Sequence, residues 1–407
     1  MCNANRGWAR KCDSSAMQKT TAARLAQLAW SRNLVSMKAS DPQESPTQTR
    51  APSTGGRYLF IDALRGFAAL AVVFYHAKKG DHISQLCEKL PAFINTALAH
   101  GDLGVQVFFV LSGFVIAHSM ARHEVTLSYF GRFVLRRSLR LDPPYWGSMF
   151  LTVAFGVLST SFVVGKVYDI PTLGDVVAHV LYLPVLMDKP LINSVYWTLC
   201  LEIQFYVVFC FVMGAATRLR RKFSPRFAFY ATVLPATIFA NLWALQWQPF
   251  DVRGLFTGHW LFFMAGVLVW NATMHQKDRF SLPVAVINLF VLSLAFYKYG
   301  NPAIGVGVLT CFAILLAGRL GKFSTWLAWR PFQGLGAISY SLYLIHNVIT
   351  GATFCVGYGI TGRSVWLEGL WFVLVIATCI FSSWVFYRLI ERPSMNLSRR
   401  VRMTPKG

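Results

Sequence analysis

The sequence predicts an all-α protein, a polytopic membrane bundle of about ten transmembrane helices. Only 14% of its 407 residues are charged and 55% are hydrophobic, whereas soluble domains carry about a quarter charged residues. Mean hydropathy is +0.46. Apolar runs recur from Tyr58 to Ile390, most of them close to the roughly 20 residues a helix needs to cross hydrocarbon. They lack the alternation of membrane-barrel strands, and a helix satisfies its own backbone polar groups in lipid.

Net charge is +22, from 39 Lys and Arg against 17 Asp and Glu. In a soluble chain this would point to nucleic acid. Here the cations gather between apolar runs, so they read as positive-inside bias and contact with anionic lipid, with no nucleic-acid partner. Cysteines fall at 2, 12, 87, 200, 210, 311, 355 and 379. Most lie inside apolar runs without paired ligand spacing, which predicts small core residues, no disulfide framework and no metal site.

Along the chain, residues 1–56 are polar, lack a signal-peptide core and contain SPTQTRAPSTGG, so a disordered basic tail is expected. Within it TAARLAQLAWSRNLVSM has a weakly amphipathic pattern, and Met37 offers an alternative start. Clusters at 132–140, 218–226, 277–279, 319–330 and 388–402 join this tail on one side, assigned to the cytoplasm. Spans follow at 58–79, 102–120, 143–164, 196–216, 227–247, 254–272, 282–298, 302–318, 335–356 and 366–389, with both termini cytoplasmic in an inner (plasma) membrane. Segment 174–192 is apolar but interrupted by Pro184 and Pro190 and preceded by Pro171. If it crossed, the basic loop at 218–226 would move outside, so it is read as re-entrant or external. The expected organisation is a tail at 1–56, a membrane domain at 57–394 and a short basic cytoplasmic tail at 395–407. No internal repeat is evident, which counts against an inverted-repeat transporter.

Ionisable residues inside spans are costly and mark candidate sites. In RYLFIDALRGFAALAVVFYHA, Arg65 and His76 are about three turns and about 16 Å apart on one helix face. Asp62 sits at ion-pairing spacing from Arg65. This face reads as the wall of a polar cavity, or as a structural ion pair with a boundary histidine. Glu202, near the outer end of its span, matches His76 in depth, so the pair could act as a general base with its orienting carboxylate; the alternative is a lone buried acid. Ser112 and Gly113 in FFVLSGF suit either close helix packing or a catalytic serine. From 122 to 140 the chain uses Arg and never Lys. Arg137 and Arg140 on an amphipathic helix would present guanidinium groups to phosphate, since guanidinium binds phosphate bidentately; lipid headgroups are the other reading. His346 in ISYSLYLIHN is either a packing histidine or a member of the site.

Together these segments resemble membrane acyltransferase family 3, the O-antigen and exopolysaccharide O-acyltransferase group, over about 57–394. The blocks are Asp62-x-Leu64-Arg65-Gly66 with His76; Gly104 to Phe114; Arg136, Arg137, Arg140, Pro143 and Tyr145; Trp197, Leu199, Glu202, Gln204, Phe205 and Tyr206; Ser339 to Leu344 with His346; and Glu391-Arg392-Pro393. Ile203 stands where many relatives carry a second acid, and Asn347 where many carry Trp after the histidine. The soluble esterase-like domain of some bacterial relatives has no counterpart in these 407 residues.

The resemblance implies O-acyl transfer, commonly acetyl transfer, from acyl-CoA to a hydroxyl of a surface carbohydrate, with no permanently bound cofactor. It implies an essential His76 and a donor role for Arg137 and Arg140. The expected site is therefore His76 and Glu202 as catalytic residues, Arg65, Arg137 and Arg140 for the donor, and Asp62, Ser112, Tyr145, Trp197 and His346 in support. The alternative class is a transporter or flippase of a lipid-linked or anionic solute.

Overall fold

A computed structural model describes residues 58–162, 167–247 and 252–403. The expected N-terminal tail and its amphipathic segment lie outside the described residues. No strand occurs among those described. The long helices are α1 (Leu59–Lys79), α4 (Gly104–Met120), α5 (Leu127–Phe162), α7 (Trp197–Leu219), α8 (Pro225–Ala244), α9 (Trp260–Met274), α10 (Ser281–Tyr299), α11 (Pro302–Arg319), α12 (Arg330–Thr361) and α13 (Val365–Phe386). Shorter ones are α2 (Ser84–Lys89), α3 (Ala92–Ala99), α6 (Leu173–Val180) and α14 (Arg392–Arg399).

Every expected span is a helix, and seven helical segments are long and apolar enough to cross a membrane. The protein is a multi-pass membrane bundle. The expected spans outside those seven have physical reasons for it. Helix α9 is only 15 residues long and is entered through a tight turn, Phe256–His259. Helices α5 and α12 are long but diluted by Arg, Ser, Tyr, Gly and His, and several of these, among them Tyr145, Ser148, Ser339, Ser341 and His346, are buried in the bundle. By contrast, α10 and the continuous segment Val365–Arg399 bury only 28% and 22% of their apolar windows. Exposed Phe290, Val373 and Phe381 on them are suited to lipid.

Two expectations need correction. The Arg-rich segment is not a separate surface helix before a span starting at 143: it is the first half of one 36-residue helix, α5. Pro143 and Pro144 lie inside that helix. Proline removes a helical N–H, but neighbouring polar groups are occupied: Ser138 Oγ donates to Asp142, and Tyr182 Oη donates to Asp142 Oδ1 at 2.8 Å. Residues 395–399, expected in a short tail, instead complete α14, which packs on α5.

The proline-broken segment does not cross. Helix α6 has 8 residues, about 12 Å at helical rise. A capping box between Thr172 and Asp175 starts it. His179 Nδ1 is 2.7 Å from the Asp175 carbonyl and its Nε2 accepts from Ile192 N–H at 3.1 Å. That tautomer ties the returning strand of the loop to the helix. With Tyr182 reaching Asp142 on α5, the segment folds back into the bundle.

Several helix ends that adjoin the basic clusters meet at one end of the bundle. Tyr58 at the start of α1 packs on His118 and Phe323, at the ends of α4 and just after α11, and Tyr58 Oη donates to Met274 Sδ at 3.5 Å. Arg226 pairs with Asp278 at 3.3 Å at the same end. At the opposite end Arg363 Nε donates to the buried Glu368 at 2.7 Å, and Glu368 also accepts from Leu86 N–H at 2.8 Å.

Helix–helix approach is set by glycine. A Cβ on Gly336 of α12 would stand 2.2 Å from the Asp62 carbonyl oxygen of α1, and one on Gly66 of α1 would stand 2.8 Å from Gly336 N. A second pair joins α4 and α9: a Cβ on Gly113 would meet the Phe263 carbonyl at 1.9 Å, and one on Gly266 the Val110 carbonyl at 2.0 Å. Gly113 of FFVLSGF is thus a packing residue. Gly336→Ala should lower stability by about 1–3 kcal/mol, as overpacking does. Gly334→Ala, with open space around its Cβ, should not. Thermal unfolding of both variants in detergent checks this.

Candidate active site

The seam between α1 and α12 is lined with polar groups. The Gly66–Gly336 approach turns one face of each helix toward the other. On α12, Tyr340, Tyr343, His346 and Thr350 recur at helical spacing. On α1, Arg65 shares a small cavity of about 50 Å³ with Tyr340 and Tyr343, and with Ser112, Thr198 and Glu202 from α4 and α7. Further along, the rings of His76 and His346 lie 5.1 Å apart. Arg65 and His76 therefore both face the bundle interior, as their spacing predicts.

His346 is fully buried. Its Nδ1 lies 2.8 Å from the Tyr343 carbonyl and 3.1 Å from that of Leu342. Nδ1 must therefore carry the proton, leaving Nε2 with a free lone pair. That Nε2 is buried and has no hydrogen-bond partner. An unpaired buried acceptor costs free energy, and its place beside a second imidazole makes it a candidate member of the site. Tyr343 connects this pair to the small cavity: its hydroxyl is 2.8 Å from Thr198 Oγ1, and its ring is 6.0 Å from that of His346.

Glu202 is not the carboxylate that holds His76. It accepts from Ser112 Oγ at 2.6 Å and from Tyr206 Oη, and it belongs with Arg65 in the small cavity. Sequence gives depth along each helix but not which helices adjoin. The turn before α4 places a different carboxylate, Asp102, where its charge acts on His76. Nothing in the sequence distinguished Asp102 from an ordinary loop acid.

At the basic end, a cavity of about 230 Å³ is lined by Arg136, Arg137 and Arg140 of α5 and by Arg399 of α14. No carboxylate lines it. The Arg137 guanidinium stacks at 4.8 Å over the Tyr206 ring, and the Tyr206 hydroxyl donates to Glu202. Arg140 lies within electrostatic reach of Arg65 and Glu391. A cationic pocket at the basic end thus adjoins the small interior cavity through one tyrosine. Sequence singled out Arg137 and Arg140; Arg399 was assigned to a tail, and only the return of α14 onto α5 brings it in.

Other expected residues hold the frame. Asp62 offers its carbonyl to the Gly336 crossing. Tyr145 is buried, stacked 4.9 Å from the Tyr182 ring and edge-on to Tyr196 at 4.9 Å. Trp197 faces away from the seam, 5.3 Å from the His259 ring. Glu391 accepts from Ser341 N–H at 3.1 Å and from Ser341 Oγ at 2.5 Å, which joins two sequence blocks 50 residues apart. Gln204 holds the loop before α9: its Nε2 donates to Gly254 O at 2.9 Å and its Oε1 accepts from Phe256 N–H at 3.1 Å.

Gln204→Ala should free this loop. Two net hydrogen bonds are worth about 1–3 kcal/mol, so hydrogen–deuterium exchange at 252–258 should accelerate while the α1–α12 seam stays protected. Unchanged exchange in that loop would contradict the clamp.

A family model described as an acyltransferase domain matches residues 58–388. The chain is similar to the peptidoglycan O-acetyltransferase OatA of Listeria monocytogenes, at 24% identity, covering 82% of this chain and 55% of that one. It is similar to the acyltransferase MdmB of Streptomyces mycarofaciens at 25% identity, over 88% and 95% of the two chains. It also resembles nodulation protein 10 of Rhizobium leguminosarum bv. viciae, at 26% identity over 85% and 95%. The chain spans about half the length of the OatA proteins it matches. No solved structure matches it.

Proposed function

The chain belongs to the acyltransferase family 3 that this domain model describes, and from that premise we propose that it is a membrane O-acyltransferase, moving an acetyl or similar acyl group from cytoplasmic acyl-CoA to a hydroxyl of a carbohydrate acceptor. The observation that carries the reading is the polar seam, with an arginine-lined cavity at the basic end and a buried imidazole pair deeper in the bundle.

The donor enters at the basic end, taken as cytoplasmic. Its phosphates dock on Arg137 and Arg140, with Arg136 and Arg399 beside them; guanidinium is the cation best matched to phosphate oxygens. The extended pantetheine arm passes Tyr206 and the Arg65–Glu202 cavity. Arg65 and His76 are about 16 Å apart along α1, a distance that an arm of this kind can follow to bring its thioester near His76.

His76 takes the proton of the acceptor hydroxyl as its oxygen attacks the thioester carbonyl. The tetrahedral intermediate collapses, the C–S bond breaks, and the proton on His76 passes to the departing thiolate. Products are the O-acyl ester and free CoA thiol. His346, with Nδ1–H given to Tyr343, keeps Nε2 as an acceptor beside this exchange and fixes the proton's alternatives. Arg65 supplies the positive charge of the inner cavity. Glu202, held by Ser112 and Tyr206, balances that charge and positions Tyr206 under Arg137.

General-base assistance is worth about 10²–10⁴ in rate. His76→Ala in nanodiscs should therefore lose at least 100-fold of label transfer from acetyl-CoA while keeping its melting temperature. Wild-type transfer by that variant would remove His76 from the chemistry. Arg140→Ala should raise the KM for acetyl-CoA about tenfold or more and lower kcat less. An unchanged donor KM would rule out phosphate docking there.

A further inference from the structure

A further cavity in the structure has no part in the donor path. It measures about 400 Å³, within the range of about 300–1,000 Å³ typical of ligand sites. It lies between the loop at 185–191 and the loop at 253–259. Both loops belong to the end opposite the basic one.

One wall is aromatic. The Trp197 and His259 rings stand 5.3 Å apart, tilted by 57°. The mouth is polar: Asp188 and Arg253 approach to 3.8 Å, both highly exposed, and Lys189 stands beside them. The remaining lining is aliphatic. An aromatic wall with a hydrogen-bonding rim suits a pyranose, whose ring faces are C–H and whose edges are hydroxyls. A purely apolar ligand would leave the rim unused, and a purely ionic one would leave the wall unused.

Two further features make this a built site. The Gln204 amide grips Gly254 O and Phe256 N–H, so the loop forming one side is fixed to α7. The cavity also shares a partition with the catalytic seam. Phe109 lines the small Arg65–Glu202 cavity, and its ring is 5.4 Å from His259 and 6.4 Å from Trp197. Leu201 and Glu202, consecutive on α7, line opposite sides of this partition. Phe109 thus lines one space and lies against two rings that line the other.

We propose that this cavity is the acceptor subsite, binding one pyranose ring of a glycan with its face on Trp197 and its hydroxyls on Asp188 and Arg253, so that a neighbouring hydroxyl can reach the seam past Phe109. The proposal rests on the acyltransferase reading, since it assigns the acceptor for that reaction. Donor and acceptor then approach from opposite ends of the bundle.

The test is direct binding, independent of turnover. Full-length His76→Ala protein in nanodiscs is titrated with chitotetraose and with cellotetraose and followed by saturation-transfer NMR. At least one of the two should bind. Asp188→Ala combined with Arg253→Ala, at exposed positions that leave packing intact, should weaken binding at least fivefold. Trp197→Leu should abolish it, and Trp197→Phe, which keeps a ring and the packing, should retain most of it. Binding of neither glycan, or equal binding by the Asp188/Arg253 double variant, would overturn the proposal. Acetyl-CoA binding is measured on the same samples. Glycan bound without acetyl-CoA would sink the donor reading and leave this subsite standing; acetyl-CoA bound without glycan would sink the subsite alone.

Discussion

The close crossing of α1 and α12 is the constraint on which the site depends. Gly336 lies against the Asp62 carbonyl with no room for a side chain, and Gly66 lies against the backbone of Gly336. Because both helices are long and continuous, fixing that point fixes the faces above it. Arg65 then meets the tyrosines of α12, and His76 meets His346 about three turns farther along. A rotation of either helix would turn these groups toward lipid, where charge is costly.

The other polar contacts support that seam. Glu391 ties the C-terminal segment to Ser341, directly after Tyr340. Ser112 and Tyr206 hold Glu202 from two helices. Gly113 and Gly266 bring α4 and α9 together, which sets Ser112 at the cavity wall. Arg137 stacked on Tyr206 links the arginine cavity to Glu202. Buried polar groups are stabilising only when their partners are in place, so these residues form one network. The unpartnered Nε2 of His346 is the exception within it, and it occurs where chemistry is proposed.

Much of this was legible from sequence. Apolar runs and basic clusters located the helices and the basic end, because lipid imposes length and charge rules on any span. The eleven-residue spacing of Arg65 and His76 gave a shared face, since helical periodicity alone decides that. Neighbour relations were not legible. Glu202 matched His76 in depth but sits on α7 beside Ser112 and Arg65, while the histidine beside His76 comes from α12. Arg399 looked like tail charge until α14 was seen to return onto α5. The Tyr340–Tyr343–His346 stripe has a period of three residues and was readable as one face, but its partner face was not. Gln204 stood out as a motif residue, yet its role as a loop clamp depends on Gly254, 50 residues away.

The proposed chemistry requires the two imidazoles to meet inside the bundle. The most direct measurement is crosslinking in native membranes of a variant carrying His76→Cys and His346→Cys, with all other cysteines replaced by serine or alanine. Rapid disulfide formation on mild oxidation is expected, slowed when acetyl-CoA is added. Two thiols that remain free, both reacting with a lipid-soluble maleimide from the bilayer, would contradict it.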